Sequence, residues 1–312
     1  MRRYDPLVEP SAMSVMPMPK ARVSLTLIAA FFALYFIWGS TYLVIRIGVE
    51  SWPPMLMAGC RFVIAGALLL AWALYRGAPL PSGRQWLNAG AIGILLLSCG
   101  NGGVTVAEHW GVASGVAALG VATVPLFALV FARLFGQRNS LLEWSGIGLG
   151  LCGIVLLNLG SNLQGSPAGA ALILFAAAAW AFGSVWSRRL DLPAGPMASA
   201  LEMLVGGAAL LLGSQLSGEH LQQMPDVRGW LALGYLVVFG SIIAFSAYVY
   251  LLANVRPAAA TSYAFVNPAV AVLLGVAFAG EHIGWPEALA MAVIIGAVLL
   301  ISLPQWRRRE AA

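Results

Sequence analysis

The sequence predicts an all-α polytopic membrane protein, with ten transmembrane helices arranged as two inverted repeats of five. Three observations carry that expectation. The composition is 60% hydrophobic and only 9% charged, with a mean hydropathy of +0.86, whereas soluble domains carry about a quarter charged residues. The chain divides into ten apolar runs separated by turn signals. Its second half also echoes its first. Ile37-Trp38-Gly39-Ser40-Thr41-Tyr42 is answered by Ala181-Phe182-Gly183-Ser184-Val185-Trp186, and Thr123-Val124-Pro125 by Val266-Asn267-Pro268. Gly153-Ile154-Val155 is answered by Gly296-Ala297-Val298, and these last two pairs share an offset of 143 residues. Many secondary transporters are built from such apolar repeats.

The elements follow in order. Residues 1–23 form a polar arm bearing Met and Pro, expected to be cytoplasmic and disordered. A span must cross about 30 Å of hydrocarbon, which takes roughly 20 helical residues. The first run, 24–45, is too long for a signal-peptide core and lacks a small-residue cleavage site, so it is expected to stay. Trp52-Pro53-Pro54 opens the second run, 53–75, and Gly77-Ala78-Pro79-Leu80-Pro81 closes it. The third, 86–108, is Gly-rich and expected to be irregular. The runs 112–135 and 142–160 complete a first repeat spanning 24–160, with Gly136-Gln137-Arg138-Asn139 between them. After Gly165-Ser166-Pro167, the runs 167–187, 196–217, 229–253, 257–279 and 284–303 make a second repeat spanning 167–303. A basic cytoplasmic tail, 304–312, ends the chain. Five spans per half is an odd number, so the halves enter the membrane in opposite senses.

Basic residues set the orientation. With the N-terminus cytoplasmic, fourteen of the seventeen basic residues fall inside, Arg46 and Arg228 fall outside, and Arg61 lies within a span. This bias follows the positive-inside rule and places both termini in the cytoplasm. The net charge of +5 reflects the same bias, so the bilayer is the expected partner and nucleic acid is not. Trp52, Trp86 and Trp306, at run ends, read as interfacial belt residues. Cys60, Cys99 and Cys152 fall inside spans, and no disulfide framework is expected.

Missing residues narrow the chemistry. The single lysine, Lys20, lies in the arm, which rules out a Walker loop. There is no HExxH, and Asp5, Asp191 and Asp226 all lie outside the spans. No enzyme, cofactor or metal site is therefore expected. The pairs Glu108-His109, Glu219-His220 and Glu281-His282 lack metal-ligand spacing and read as interfacial polar residues. Glu143 and Glu287, at the starts of the fifth and tenth runs, suit helix dipoles.

Polar residues within the spans mark the candidate site. Arg61 and Glu202 occupy corresponding places in the repeats, 141 residues apart. Intramembrane charges are costly unless paired or wet. They are read either as substrate or ion contacts, or as structural contacts that hold the second and seventh spans in register. Pro125 and Pro268 fall near the middle of the fourth and ninth runs. They are read as kinks repaired by neighbours, or as a hinge and cavity wall. Trp38, Ser40, Trp180 and Ser184 combine aromatic and small polar groups on the first and sixth runs, and Asn101 lies in the Gly-rich third. Thr123, Tyr263 and Asn267 flank the prolines.

Phe36-Ile37-Trp38-Gly39-Ser40-Thr41-Tyr42, Cys60-Arg61-Phe62, Ala122-Thr123-Val124-Pro125-Leu126 and Thr261-Ser262-Tyr263-Ala264-Phe265-Val266-Asn267-Pro268 carry a family resemblance. The chain resembles the drug/metabolite transporter superfamily, specifically its ten-helix exporters with two EamA domains. The resemblance implies a bacterial inner-membrane carrier that exports small molecules such as amino acids or toxic compounds. The inverted halves themselves suggest alternating access, and a monomer is the expected state. The resemblance implies a cavity among helices 1, 3, 4, 6, 8 and 9, with helices 5 and 10 peripheral. It also implies an aromatic-lined pocket, onto which Trp180 and Tyr263 map. With the polar residues singled out above, substrate contacts are expected at Trp38, Ser40, Asn101, Thr123, Trp180, Ser184, Tyr263 and Asn267. A lipid flippase-like carrier, a passive channel and a membrane enzyme remain as rival readings.

Overall fold

The computed structural model describes residues 25–110, 112, 120–157, 167–279 and 285–310. The arm 1–23, the Gly165-Ser166 break and the Glu281-His282 pair lie outside the described residues. Each of the ten apolar runs contains helix: α1 (25–48), α2 (Pro54–Tyr75), α3 (83–109), α4 (Val124–Leu134) and α5 (Leu141–Leu157). The second half supplies α6 (Pro167–Trp186), α7 (Pro196–Leu216), α8 (Val227–Asn254), α9 (Tyr263–Ala279) and α10 (Trp285–Glu310). Among the described residues, five of these helices are both long and apolar enough to cross a membrane. α10 continues through Pro304 to Glu310, where the sequence reads as a tail.

Local chemistry ends the helices. Gly77, Gly136 and Gly218 follow α2, α4 and α7 with φ of 78°, 81° and 77°. At each of them the next N–H returns to a carbonyl five residues back: Ala78 to Ala73, Gln137 to Ala132 and Glu219 to Ser214. Glycine takes this left-handed turn without a Cβ penalty. The turn after α7 has a second effect, because it presents Glu219 to the start of α2. There its carboxylate accepts the N–H groups of Met55 (3.2 Å) and Leu56 (2.9 Å) and the hydroxyl of Ser214 (2.8 Å). Two of the unpaired donors of the α2 N-terminus are thereby satisfied.

Contacts between connections show how the helices alternate. At the start of α3, Gln85 and Asn88 reach Asp191 after α6, at 3.3 and 2.9 Å. Arg256 after α8 pairs with Glu143 and donates to the Arg138 carbonyl after α4, and Arg189 donates to the carbonyl of Phe135. The connections after the second, fourth, sixth and eighth spans thus meet on one side. On the other, Ser51 after α1 donates to Asp226 after α7 at 3.2 Å.

Corresponding helices of the two repeats pack on each other through glycine. A methyl group at Gly66 of α2 would lie 2.9 Å from the Ala200 carbonyl oxygen of α7, and one at Gly207 would lie 2.9 Å from the Val63 nitrogen. α5 and α10 do the same: a methyl at Gly146 would lie 3.0 Å from the Ala297 oxygen. Small residues are what allow helix backbones to approach so closely in hydrocarbon. α1, α3 and α8 each contain a π-helical stretch, at 33–37, 94–102 and 236–243. The last two occupy corresponding places in the repeats and widen the helix where the interior is polar.

Three expectations need correction. Pro125 is not mid-helix: the chain turns at 122–123 and α4 resumes at Val124, so the proline sits in the first turn, where its missing N–H costs nothing. In the ninth run the break falls at Thr261-Ser262, while Pro268 stays inside α9. Hydroxyls serve the carbonyls at both breaks: Thr123 to Gly120 at 2.5 Å, Thr261 to Pro257 at 2.8 Å and Ser262 to Ala259 at 2.7 Å. Trp52 is not a belt residue. It is buried edge-on against Trp230, with ring centroids 4.9 Å apart.

Candidate functional site

Four aromatic rings meet where the two repeats join. Trp38 comes from α1, Trp180 from α6, Tyr248 from α8 and Tyr263 from α9, and all four are buried. The Trp38 ring lies 5.7 Å from Trp180, 5.3 Å from Tyr248 and 4.8 Å from Tyr263, the first and last edge-on. Trp180 and Tyr263 each contact Tyr248, at 5.5 and 5.6 Å. Such pairs contribute about 0.5–1.5 kcal/mol each beyond burial.

The polar tips of the cluster satisfy one another. Trp180 Nε1 donates to the Tyr248 hydroxyl at 2.9 Å, and Ser184 shares a hydrogen bond of 2.5 Å with the same oxygen. Trp38 Nε1 donates to the Gly240 carbonyl at 3.0 Å, in the π-helical stretch of α8. The π-helical stretch of α3 touches the other indole, because Gly100 leaves room for Trp180: a methyl there would lie 2.7 Å from the ring. The Tyr35 hydroxyl of α1 shares a bond with Ser262 at 2.7 Å. With its amide oriented to suit its neighbours, Asn267 donates to the carbonyls of Tyr35 and Tyr263 at 3.2 Å.

Trp38, Trp180, Ser184, Tyr263 and Asn267 are therefore gathered in one place. Ser40 lies on another face of α1, bonded to the Ile37 carbonyl and the Tyr235 hydroxyl at 2.7 Å each. Thr123 serves the α4 break. Asn101 lines a separate pocket of about 10 Å³ with Arg61 and Thr105, room for about one water. Tyr248, Tyr35 and Ser262 are site members that reading the sequence missed. The signal for both tyrosines was a phenol in the middle of an apolar run, where its hydroxyl must find a protein partner.

Arg61 and Glu202 are both buried but do not pair with each other. Arg61 Nε donates to the Ser241 hydroxyl at 2.7 Å, and its guanidinium carbon lies 4.6 Å from the Phe62 ring centroid. Gly240 makes room for that guanidinium, since a methyl there would lie 3.0 Å from Nη2. One π-helical stretch thus touches both the Trp38 indole and the buried cation. The ion pair seen among the described residues is Arg256 with Glu143, whose carboxylate also accepts the Ser140 N–H at 2.7 Å. Glu143 does more than suit a dipole: it caps α5 and ties the α8–α9 connection to it.

A family of EamA-like transporters matches residues 25–159 and 167–303. The inner membrane transporter YedA of Escherichia coli K12, described as uncharacterised, is 58% identical over 285 residues, covering 91% of this chain and 93% of that protein. A probable amino-acid metabolite efflux pump of Salmonella typhimurium is 26% identical over 291 residues, covering 88% and 94%. A crystal structure that is 24% identical superposes with a TM-score of 0.76, covering 90% of this chain and 98% of the other, and shows the likeness of fold.

Proposed function

The chain belongs to the EamA-like transporter family, and from that premise we propose that it is a secondary transporter exporting small metabolites across a bacterial inner membrane. Its substrates are amino acids or amphiphilic compounds, and its two halves exchange conformations to expose one site to each side in turn. The likeness to an efflux pump for amino-acid metabolites supports that class. The basic connections after α2, α4, α6 and α8 lie together, so the positive-inside rule puts that side, and both termini, in the cytoplasm.

The observation that carries the reading is the aromatic cluster. Trp38 belongs to the first repeat and Trp180, Tyr248 and Tyr263 to the second, so relative motion of the halves opens or closes it. Rings with polar tips suit a substrate that is apolar in body and polar at one end. The test is counterflow of labelled amino acids in proteoliposomes, for wild type, Trp38→Ala and Trp180→Ala. Saturable counterflow that falls about tenfold or more in both folded variants is expected, the loss of roughly 1.4 kcal/mol or more of binding. Uptake that rises linearly with concentration and ignores trapped substrate would identify a channel instead.

A further inference from the structure

Glu202 is buried against a cleft, and one of its carboxylate oxygens has no hydrogen-bond partner among the described residues. The residue sits in the first third of α7, 1% exposed, and its Oε2 accepts no hydrogen bond among the described residues. It lines a cleft of about 460 Å³ between the ends of α6, α7 and α8, open on the side where the basic connections meet. Ser246 of α8 lines the same cleft, and its buried hydroxyl also has no partner among the described residues. Among the described residues of the lining, the other charged side chain is Arg188, whose Nη1 donates to the Val255 carbonyl at 3.1 Å. Much of the rest is apolar, including Leu192, Pro193 and Val249. The volume falls in the range of about 300–1,000 Å³ typical of small-molecule sites.

A buried carboxylate normally meets a cation, a metal or water. Here two buried side-chain oxygens, Oε2 of Glu202 and the hydroxyl of Ser246, lack a hydrogen-bond partner among the described residues, beside a cleft of ligand size. On the carrier reading above, we propose that Glu202 and Ser246 recognise the ammonium group of an amine substrate whose apolar body lies in the cleft. The ammonium brings donors for both oxygens: one reaches the carboxylate in a charge-assisted bond and a second reaches the Ser246 oxygen. A carboxylate-bearing analogue meets repulsion there, and an alcohol forfeits the charge.

The test is calorimetric titration of the full chain in lipid nanodiscs at neutral pH, with phenethylamine, 3-phenylpropanol and 3-phenylpropionate, corrected with empty nanodiscs. Phenethylamine is expected to bind saturably, and the other two about tenfold more weakly or worse. Glu202→Gln should weaken amine binding by about tenfold or more, and Glu202→Asp should restore part of it. Glu202→Gln keeps the size of the side chain and breaks no hydrogen bond to Oε2 among the described residues, so its Tm is expected to stay near that of wild type. Should that variant fail to fold, Ser246→Ala carries the test, with amine binding about fivefold weaker expected for loss of one hydrogen bond. Equal binding of the three ligands, or amine binding unchanged in the folded variants, overturns the proposal. Amino-acid counterflow alongside such a result leaves the carrier reading standing, so the two fail separately.

Discussion

Tyr248 holds the aromatic cluster together through a single oxygen. That oxygen accepts the Trp180 indole N–H and shares a second bond with Ser184, in a place with no exposure to solvent. Tyr248→Phe keeps the ring and removes the acceptor of the Trp180 indole N–H, while Ser184 keeps its bond to the Trp180 carbonyl. An unsatisfied buried donor costs about 1–3 kcal/mol, so the variant is expected to unfold at a lower temperature than wild type in the same detergent. Tyr235→Phe is the comparison. Its hydroxyl meets Ser40, which keeps the Ile37 carbonyl, so a smaller loss is expected. Equal melting of Tyr248→Phe and wild type would mean that the indole N–H finds another acceptor. Glu143 makes the same point about reading residues singly. Its position at a helix start is plain in the sequence, but its pairing with Arg256 is not.

Among the helices, the contact between α3 and α7 leaves the least room. A methyl group at Gly93 would lie 2.1 Å from the Glu202 carbonyl oxygen and 2.8 Å from its carbon, both backbone atoms that no rotamer can move. Gly93→Ala must push the helices apart, at about 1–3 kcal/mol. Gly148→Ala on α5 is the control, since nothing lies within 4 Å of a methyl there and the residue is exposed. Replacing a mid-helix glycine with alanine there should stabilise by about 0.5–1 kcal/mol. Thermal unfolding of both variants in one detergent measures the difference, and equal Tm values would show that α3 and α7 are looser than this packing implies. Gly93→Ala also shifts the backbone that carries Glu202, so it tests how firmly the cleft is held.

Across the whole molecule, sidedness is the property that orientation turns into direction of transport. Leu80, in the connection after α2, and Met224, in the connection after α7, are 81% and 77% exposed and belong to opposite sides. With Cys60, Cys99 and Cys152 replaced, a membrane-impermeant maleimide added to intact cells is expected to label Met224→Cys and spare Leu80→Cys. The reverse pattern would turn the carrier over and place the Glu202 cleft outside. The all-helical, two-repeat architecture itself was legible beforehand. Hydropathy, run length and the recurrence of Gly-Ser and Pro motifs depend on neighbouring residues and are preserved in a linear string.

Pairings between distant residues are not preserved in that way. Tyr35 meets Ser262 across 227 positions, and Trp38 meets Gly240 across 202. Glu219 caps a helix that begins long before it in the chain. Candidate residues such as Trp38, Trp180 and Tyr263 could be picked out because aromatics beside small polar groups are unusual in a hydrocarbon-facing run. Their assembly around Tyr248, the separation of Arg61 from Glu202, and the Glu202 oxygen left without a partner among the described residues depend on how the described helices are rotated and spaced. Rotation and spacing come from close packing at glycines such as Gly66, Gly93 and Gly207. A helix crossing the bilayer is equally apolar whichever face it turns inward, so hydropathy can count the spans but cannot say which side chains meet.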